Sequence, residues 1–340
     1  MISVPRKEVS NNIVRMSPTE AGDLSRAALR RLGYSPDDAS IITDHLVDAA
    51  LCGYKFAGLP RLLRISEGVH LRGIGSPPKI VNETASSASI DGGGQVGYLA
   101  VHYAAQVAIR KAREGGGLSL VGMNNAYFSG RNAYYVEQIN RQGFATLHVA
   151  SGAPRVAAPG GDRPVLGTNP LAFGFPGDPD PFIFDMGTAA MMHGDVQLYS
   201  HLDKLLPVGV AVDANGNSTT NAKDALDGSI LPFAGYKGFG LSLTIQILGL
   251  LAGAENARAG IRGYGFMFLV FDPDLLMPRQ DFQNAMRLLL EAVRLTSHAA
   301  DSEQNIRIPS ERAFHERRRR IKDGIELEVS LVKAIEELHI

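Results

Sequence analysis

The chain has 340 residues, of which 45% are hydrophobic and 20% are charged. This composition is typical of a globular protein with a sizeable core, so it excludes the collagen-like and disordered classes. Lysine and arginine number 34 against 35 aspartates and glutamates, which leaves a formal net charge of -1. A chain so balanced has no overall field that attracts nucleic acid or an anionic membrane. At this length we expect two lobes or one large α/β unit.

Cysteine usage and apolar segments restrict the class further. Cys52 is the single cysteine, which excludes an intramolecular disulfide and a CxxC zinc pattern. Residues Met1–Met16 contain no unbroken apolar run, so the sequence predicts no secretory signal. The most apolar stretch, Phe239–Ala254, is shorter than the roughly 20 residues that span a bilayer, and polar side chains interrupt it. We therefore predict a helix buried in protein there, and a soluble, cytoplasmic chain.

Capping signals predict two helices near the start of the chain. Ser17 is followed by proline and then by Glu20, which is the order of a capping box. Ser35, again followed by proline, repeats the start signal for a second helix. A turn-rich loop over Cys52–Pro60 follows the second helix.

Beyond this loop, short runs rich in β-formers are separated by Gly, Pro and Asn turns. They predict strands at Ala88–Asp91, Leu118–Gly122, Phe144–Ser151, Phe182–Asp185, Val208–Asp213 and Phe266–Asp272. Helical periodicity predicts helices at Tyr98–Arg113, Asp281–Thr296, Glu311–Ile321 and Leu331–Leu338. Because the strands do not alternate strictly with helices, a doubly wound parallel sheet is not the predicted architecture.

Two motifs have both a functional and a plain interpretation. Gly92–Gly97 matches GxGxxG and precedes a helix, as a phosphate-binding Rossmann turn would. The segment before it is a thin strand, and the acid about 20 residues on, Glu114, falls at a helix end, so we favour a strand-to-helix turn. Glu316–Arg320 is strongly basic, but without interleaved aromatic residues it indicates a solvated helix face rather than a nucleic-acid site.

Five segments carry a family resemblance when they are taken together and in order. They are Pro164–Pro176, Phe184–Ala190, Leu205–Thr220, Ile230–Leu243 and Arg307–Arg312. In this series the chain resembles the malate/L-lactate dehydrogenase family, the sulfolactate-dehydrogenase-like NAD(P)H oxidoreductases that are not Rossmann proteins. The resemblance runs from about Ser17 to the C-terminus.

The resemblance implies a non-Rossmann α/β fold with a mostly antiparallel cofactor-binding sheet and a discontinuous helical/mixed domain. Residues 1–117 and 297–340 are expected to form the discontinuous domain, which binds substrate and dimerises. Residues 118–296 are expected to form the NAD(P)H-binding domain. The implied assembly is a homodimer.

One segment indicates a branch of the family. His193–Gln197 is similar to the cyclic-imine reductases that act on Δ1-piperideine-2-carboxylate and Δ1-pyrroline-2-carboxylate. In those enzymes the aspartate joins a Ser-His pair in a proposed proton relay, whereas the hydroxyacid dehydrogenases tend to carry a basic residue where this chain has Asp195.

The chain also departs from the family pattern. The family's Ser-His-Gly before the substrate arginine is Phe56–Gly58 here, and its Asn-Ser-His-His-Phe is Asn124–Phe128. The usual serine and histidines are therefore missing. The segment between Ala254 and Phe266 is short for the family.

The resemblance implies a set of site residues. Beyond the resemblance, we hypothesise that Asp195 is the proton relay and that Lys55 or Tyr127 fills the space of the missing histidine; the alternative for both is a structural role. Arg61 matches the carboxylate-binding arginine, and Thr168 matches a substrate contact. The expected cofactor contacts are Asn124, Phe128, Asp185, Met186, Gly187, Thr188, His193, Gly194, Lys237, Pro309, Ser310 and Glu311.

The chemistry of Asp195 favours an imine substrate. Reduction of a ketone develops negative charge on oxygen, which a nearby carboxylate opposes. An iminium is positively charged at the start, so a carboxylate stabilises it and can pass protons. We therefore expect a cyclic ketimine carboxylate to be reduced with NADPH or NADH and without a metal. A 2-oxoacid dehydrogenase, with for instance Lys55 as donor, and a paralogue that only binds nucleotide or a small acid remain as alternatives.

Overall fold

The computed structural model describes residues 7–10, 12–255, 263–296 and 306–339. Its strands are β1 (Lys7–Ser10), β2 (Ile13–Met16), β3 (Lys79–Glu83), β4 (Ser87–Val96), β5 (Leu118–Tyr127), β6 (Ala145–Ala150), β7 (Val156–Ala157), β8 (Pro164–Leu166), β9 (Leu171–Phe175), β10 (Phe182–Met186), β11 (Ala211–Val212), β12 (Ser218–Thr219), β13 (Ser229–Ile230), β14 (Gly265–Phe271) and β15 (Ile325–Glu328). Its helices are α1 (Pro18–Arg31), α2 (Pro36–Leu51), α3 (Arg61–Arg72), α4 (Gly97–Glu114), α5 (Asn132–Asn140), α6 (His193–His201), α7 (Ala222–Asp227), α8 (Tyr236–Leu251), α9 (Arg279–Arg294), α10 (Glu311–Asp323) and α11 (Val329–Glu336).

The chain divides into two compact units, Met1–Gly75 with Leu289–Ile340 and Ser76–Leu288. The sequence-based division placed its two boundaries after Gly117 and after Thr296 instead. Residues 76–117 group with the second unit because β4 pairs with β5 and α4 packs on the same sheet. The first unit is discontinuous because β15 pairs antiparallel with β2, which joins the two ends of the chain.

Helices α1 and α2 of the first unit begin at the caps that the sequence predicts. The Ser17 hydroxyl accepts from the Glu20 N–H, and the Glu20 carboxylate accepts from the Ser17 N–H, which completes the capping box. The Ser35 hydroxyl accepts from the Asp38 N–H in the same way. Such caps satisfy backbone donors that have no partner within the helix.

A seven-stranded sheet organises the second unit, in the order β10-β9-β6-β14-β5-β4-β3. Only the β4–β5 pair is parallel. The mostly antiparallel sheet of the predicted fold is therefore confirmed. Alanines of α4, such as Ala100 and Ala104, are fully buried among sheet residues such as Val121 and Phe268. Small side chains let this helix lie close to the sheet.

A smaller five-stranded sheet has the order β12-β11-β13-β7-β8. Its strands are two or three residues long, so the predicted strand Val208–Asp213 is reduced to β11. Val156 of β7 and Ile230 of β13 are buried with Val196 of α6 in one apolar cluster. This cluster fixes α6, which carries Asp195, to the smaller sheet.

The glycine motif serves backbone packing, as a plain strand-to-helix turn predicts. Strand β4 continues through Gly92, and α4 begins at Gly97. A Cβ on Gly92 would lie 2.7 Å from the Asn124 carbonyl oxygen, and one on Gly97 would lie 1.9 Å from that of Phe128. The glycines are thus explained by the close approach of β5 and the residue after it.

The prediction that Phe239–Ala254 is a buried helix is wrong for one of its faces. Helix α8 buries Ile245, but Leu243 is 41% exposed, Ile247 56% and Leu250 47%. Burial within one copy of the chain therefore accounts for the apolar residues on one face of α8 and leaves those on the other face unexplained. Among the described residues, no helix is long and apolar enough to cross a membrane.

Candidate active site

The turn that carries Thr168 is held by Thr188. The Thr188 N–H donates to the Thr168 carbonyl at 2.9 Å, and the Thr188 hydroxyl lies 3.1 Å from the carbonyl oxygens of Thr168 and Asn169. Thr188 is fully buried and Thr168 is half-buried. The structure thus brings together one predicted substrate contact and one predicted cofactor contact.

Gly187 forms a cradle next to this turn. A Cβ at Gly187 would lie 2.6 Å from the Met192 sulfur and 3.4 Å from the Thr168 carbonyl oxygen. Met192 is 42% exposed and has a flexible side chain, so it can move away from the cradle. Met192 therefore covers the Gly187 backbone in this structure, and a flat ligand ring would reach that backbone only after the methionine side chain has moved.

Asp185 and Met186 end strand β10, directly before the cradle. Ala133 lies in the first turn of α5, and its N–H donates to the Asp185 carboxylate at 2.8 Å. Burial raises the pKa of the Asp185 carboxyl above its usual value, against the lowering effects of the Ala133 N–H and the Arg131 guanidinium. This contact gives Asp185 a structural role as a helix cap, which the sequence did not predict.

Helix α6 places three predicted residues in one turn. His193, Gly194 and Asp195 are half-buried at its N-terminus, and the Asp195 N–H donates to the Met192 carbonyl at 2.9 Å. A carboxylate in a first turn is stabilised by the helix dipole. Asp195 is thus joined through its backbone N–H to the residue whose sulfur lies over the Gly187 cradle.

Tyr127 and Phe128 lie at the end of β5. Tyr127 is 3% exposed, and its ring packs edge-on against Phe128 with centroids 5.2 Å apart. Phe128 has a φ of 59°, a left-handed conformation that is rare for an aromatic residue. Such strain is found where the surrounding structure holds a residue in a required position.

Asn124 and Lys237 lie at opposite ends of α8. The Asn124 amide donates to the Gly253 carbonyl, just past the end of that helix, whereas Lys237 is exposed in its first turn. A helix of 16 residues is about 24 Å long. These two predicted cofactor contacts are therefore not brought together, and Asn124 has a structural partner of its own.

The remaining predicted residues belong to the first unit. Lys55 is exposed in the turn after α2, and Arg61 is half-buried as the first residue of α3. Pro309 precedes Ser310, which has a φ of 68° at the start of α10. The Glu311 carboxylate accepts from the Arg294 guanidinium and, at 3.1 Å, from the Ile308 N–H, so it stabilises the turn into α10.

One buried residue was missed by the sequence interpretation. Asn169, directly after Thr168, is fully buried and contacts Ser242 and Gln246 of α8. The sequence signal that could have identified Asn169 is its place in the Gly-Thr-Asn turn, directly after the predicted substrate contact Thr168. In the part of the chain that the structure describes, no group of three or more His, Cys, Asp or Glu side chains is placed to hold a metal ion.

The sequence matches a family of known proteins. The family described as malate/L-lactate dehydrogenase matches residues 16–336. The chain belongs to this family. It is therefore a member of an oxidoreductase family, and the resemblance stated from the sequence segments is confirmed.

Individual relatives match nearly the whole chain. A malate/(S)-sulfolactate dehydrogenase of Methanothermus fervidus is 32% identical to this chain, and the match covers 95% of this chain and 96% of the relative. A Δ1-pyrroline-2-carboxylate/Δ1-piperideine-2-carboxylate reductase of Pseudomonas putida is 28% identical to this chain, and the match covers 97% of this chain and 98% of the relative. The solved structure of sulfolactate dehydrogenase from Methanocaldococcus jannaschii matches with a TM-score of 0.86 and 31% identity, over 95% of this chain and 96% of that chain.

Proposed function

We propose that the protein is an NAD(P)H-dependent reductase of a cyclic ketimine carboxylate, of the Δ1-piperideine-2-carboxylate or Δ1-pyrroline-2-carboxylate type, that forms the L-imino acid. The observation that carries this proposal is the position of Asp195 in the first turn of α6, where its N–H donates to the carbonyl of Met192, the residue whose sulfur lies over Gly187. The 28% identical relative named as a reductase of these imines supports the substrate class.

The charge of Asp195 supports an imine rather than a ketone as the substrate. A protonated imine is positively charged, so a carboxylate nearby stabilises it and supplies a route for protons to and from nitrogen. A ketone would develop negative charge at the same place, where an aspartate is unfavourable. Tyr127, buried at the end of β5, and Lys55 are the side chains that we assign to the space of the missing family histidine.

The residues around Gly187 fit a nicotinamide cofactor. The space over Gly187 is occupied by the flexible side chain of Met192, and displacement of this side chain would let a ring lie against the glycine backbone, beside the Thr168 carbonyl oxygen. When bound, a reduced nicotinamide supplies the hydride. We assign the binding of the cofactor mainly to the second unit, and Pro309, Ser310 and Glu311 remain proposed contacts from the first.

Arg61 and Thr168 are the proposed anchors of the substrate. A guanidinium binds a carboxylate with two parallel hydrogen bonds, which also fixes the orientation of a planar ring. The Thr168 hydroxyl adds a directed contact because its backbone is held by Thr188. Together these contacts would orient the carbon that accepts the hydride.

A 2-oxoacid dehydrogenase is the second candidate. It is favoured by the identity of 32% to a malate/(S)-sulfolactate dehydrogenase, which exceeds the 28% to the imine reductase. In that reading the exposed cation Lys55 would donate the proton. The third candidate is a protein that binds nucleotide or a small acid without turnover.

One assay distinguishes the three. Oxidation of NADPH and NADH is followed with Δ1-piperideine-2-carboxylate, Δ1-pyrroline-2-carboxylate, pyruvate and oxaloacetate. We expect turnover with the imines. Turnover confined to the oxoacids would support the dehydrogenase instead, and saturable cofactor binding without oxidation would support the third reading.

A variant then tests the proton relay. Asp195→Asn keeps the size of the side chain and removes its charge, so we expect imine reduction to fall on the order of a hundredfold. Asp203→Asn is the matched control, because Asp203 is an exposed aspartate just after α6 whose partner is Lys223. An imine rate in Asp195→Asn equal to that of the control would remove Asp195 from the mechanism.

We also propose that two copies of the chain associate through the exposed apolar face of α8, which belongs to the second unit and not to the discontinuous domain that the resemblance assigns to dimerisation. The face presents Leu243, Ile247 and Leu250, and Lys237 is the single charged residue of the helix. Exposed apolar patches of this kind mark association surfaces. Ile247→Asp should convert a dimer to a monomer in analytical ultracentrifugation, whereas Leu71→Asp, at an exposed leucine of α3, should not. A monomeric wild-type protein would contradict the proposal.

A further inference from the structure

Asn169 occupies an unusual position between the Thr168 turn and α8. It is fully buried, and its φ of 36° lies in the left-handed region. Asparagine tolerates this region better than most residues because its short polar side chain hydrogen-bonds locally. The backbone conformation alone would equally suit glycine, so the buried amide needs a separate explanation.

The side chain of Asn169 is directed at α8. Its Nδ2 donates to the Ser242 carbonyl at 2.9 Å and to the Gln246 Oε1 at 3.1 Å, and it lies 3.3 Å from the Ser242 hydroxyl. From the other side, the Thr188 hydroxyl donates to the carbonyls of Thr168 and Asn169. The peptide that joins Thr168 to Asn169 is therefore held from two directions by segments that are remote in sequence.

The packing around Asn169 requires a glycine at position 167. A Cβ on Gly167 would lie 2.5 Å from the Asn169 Oδ1, so a larger residue there would exclude this side chain. Within the described residues, Oδ1 itself has no hydrogen-bond partner although it is buried. A buried unpaired acceptor is unfavourable, so the contacts of Nδ2 must offset it.

We infer that Asn169 is a positioning residue, which locks the Thr168 turn onto α8 so that the Thr168 hydroxyl is held for the substrate. Gln246 acts with it, as an acceptor supplied by the helix. Asn169 itself acts only through Thr168. The inference rests on the proposed function, because it gives Thr168 the role of a substrate contact.

A purely structural role for Asn169 makes a different prediction. In that case its loss would lower stability and the amount of active enzyme, while KM for the substrate would be unchanged. If Asn169 positions Thr168, its loss raises the substrate KM to the same extent as the loss of the Thr168 hydroxyl. The two losses are then not additive, because both remove one interaction.

The test uses Asn169→Gly, Thr168→Val and the double variant. Asn169→Gly keeps the left-handed backbone accessible and removes only the amide. We expect each single variant to raise the substrate KM on the order of tenfold, the KM of the cofactor to change less, and the double variant to resemble either single one. Thr244→Val, an exposed position on α8, is the control and should leave KM unchanged.

Hydrogen–deuterium exchange provides a readout that does not need activity. The Thr188 amide donates to the Thr168 carbonyl, so its exchange reports whether the turn is held. We expect exchange of this amide to become at least about tenfold faster in Asn169→Gly and in Gln246→Leu, and to be unaffected by Thr244→Val.

The outcomes separate the inference from the proposed function. If the wild-type enzyme reduces neither imines nor oxoacids, the proposed function fails, and the exchange of the Thr188 amide alone decides whether Asn169 holds the turn. If the wild type is active, an unchanged substrate KM in Asn169→Gly overturns the inference. So does a double variant whose KM rises by the product of the two single effects.

Discussion

His148 gives the structure a stability that depends on pH. It is fully buried in β6, stacked on Phe268 at 3.9 Å, and its edge faces Tyr135. Its Nδ1 lies 3.0 Å from the Met267 carbonyl, which can only accept, so the proton is on Nδ1. Its Nε2 has no hydrogen-bond partner among the described residues. Protonation would place an unpaired charge in the core.

The expected loss of unfolding free energy at low pH follows from the pKa of His148. Burial lowers the pKa of His148 from 6.5 to about 4, against the raising effect of the Met267 carbonyl. The unfolded chain therefore binds a proton below pH 6.5 that the folded chain does not bind until near pH 4. Stability is fully present above pH 6.5 and is lost as the pH falls, by about 2 kcal/mol at pH 5 and about 3 kcal/mol in all.

His148→Asn isolates this effect. Asparagine retains a donor for the Met267 carbonyl but does not titrate, so the variant should lose about 2 kcal/mol less than the wild type between about pH 7 and about pH 5. His70→Asn is the matched control, because His70 is exposed on α3 and its Nδ1 also contacts a backbone carbonyl, that of Ser66, at 2.8 Å. The measurement is urea unfolding followed by circular dichroism. Equal pH dependence in the wild type and His148→Asn would refute the reasoning.

Other substitutions test the packing and the caps. Gly97→Ala places a Cβ 1.9 Å from the Phe128 carbonyl oxygen, and it should cost at least about 3 kcal/mol of unfolding free energy. Gly240→Ala, at a helical position with nothing within 4 Å, should instead stabilise by roughly 0.5–1 kcal/mol; equal melting temperatures for the two would contradict the packing argument. Ser17→Ala removes half of the capping box with Glu20 and should cost about 1 kcal/mol in urea unfolding, whereas no change would mean that the cap is already broken in solution.

Local signals predicted α1, α2 and α4 well because the causes of these helix ends are local, whereas α3, α5, α6 and α7 were not predicted. The cap at Ser17 is made with a residue three positions on, and α1 begins directly after it. Likewise, the predicted helix Tyr98–Arg113 differs by one residue at each end from α4. A hydrogen bond within one turn needs no information from the rest of the chain.

Strand β4 shows where local signals failed. The sequence predicted its end at Asp91, before three glycines that favour turns, yet the strand continues to Val96. Pairing of Gln95 and Val96 with β5 keeps the backbone extended there. Partner strands supply hydrogen bonds that propensity does not register, so the context overrides the residue type.

The amino-acid sequence by itself determined the family, through several segments in a fixed order, together with the residue types available for chemistry, such as the carboxylate at Asp195. It also determined the helix starts. The tertiary structure decided which of these residues meet. Thr188 holds Thr168 across 20 positions, Asp185 caps α5 across 52, and Asn169 reaches α8 across 73. These contacts depend on strand pairing and burial between remote segments, which only the folded chain brings within hydrogen-bonding distance.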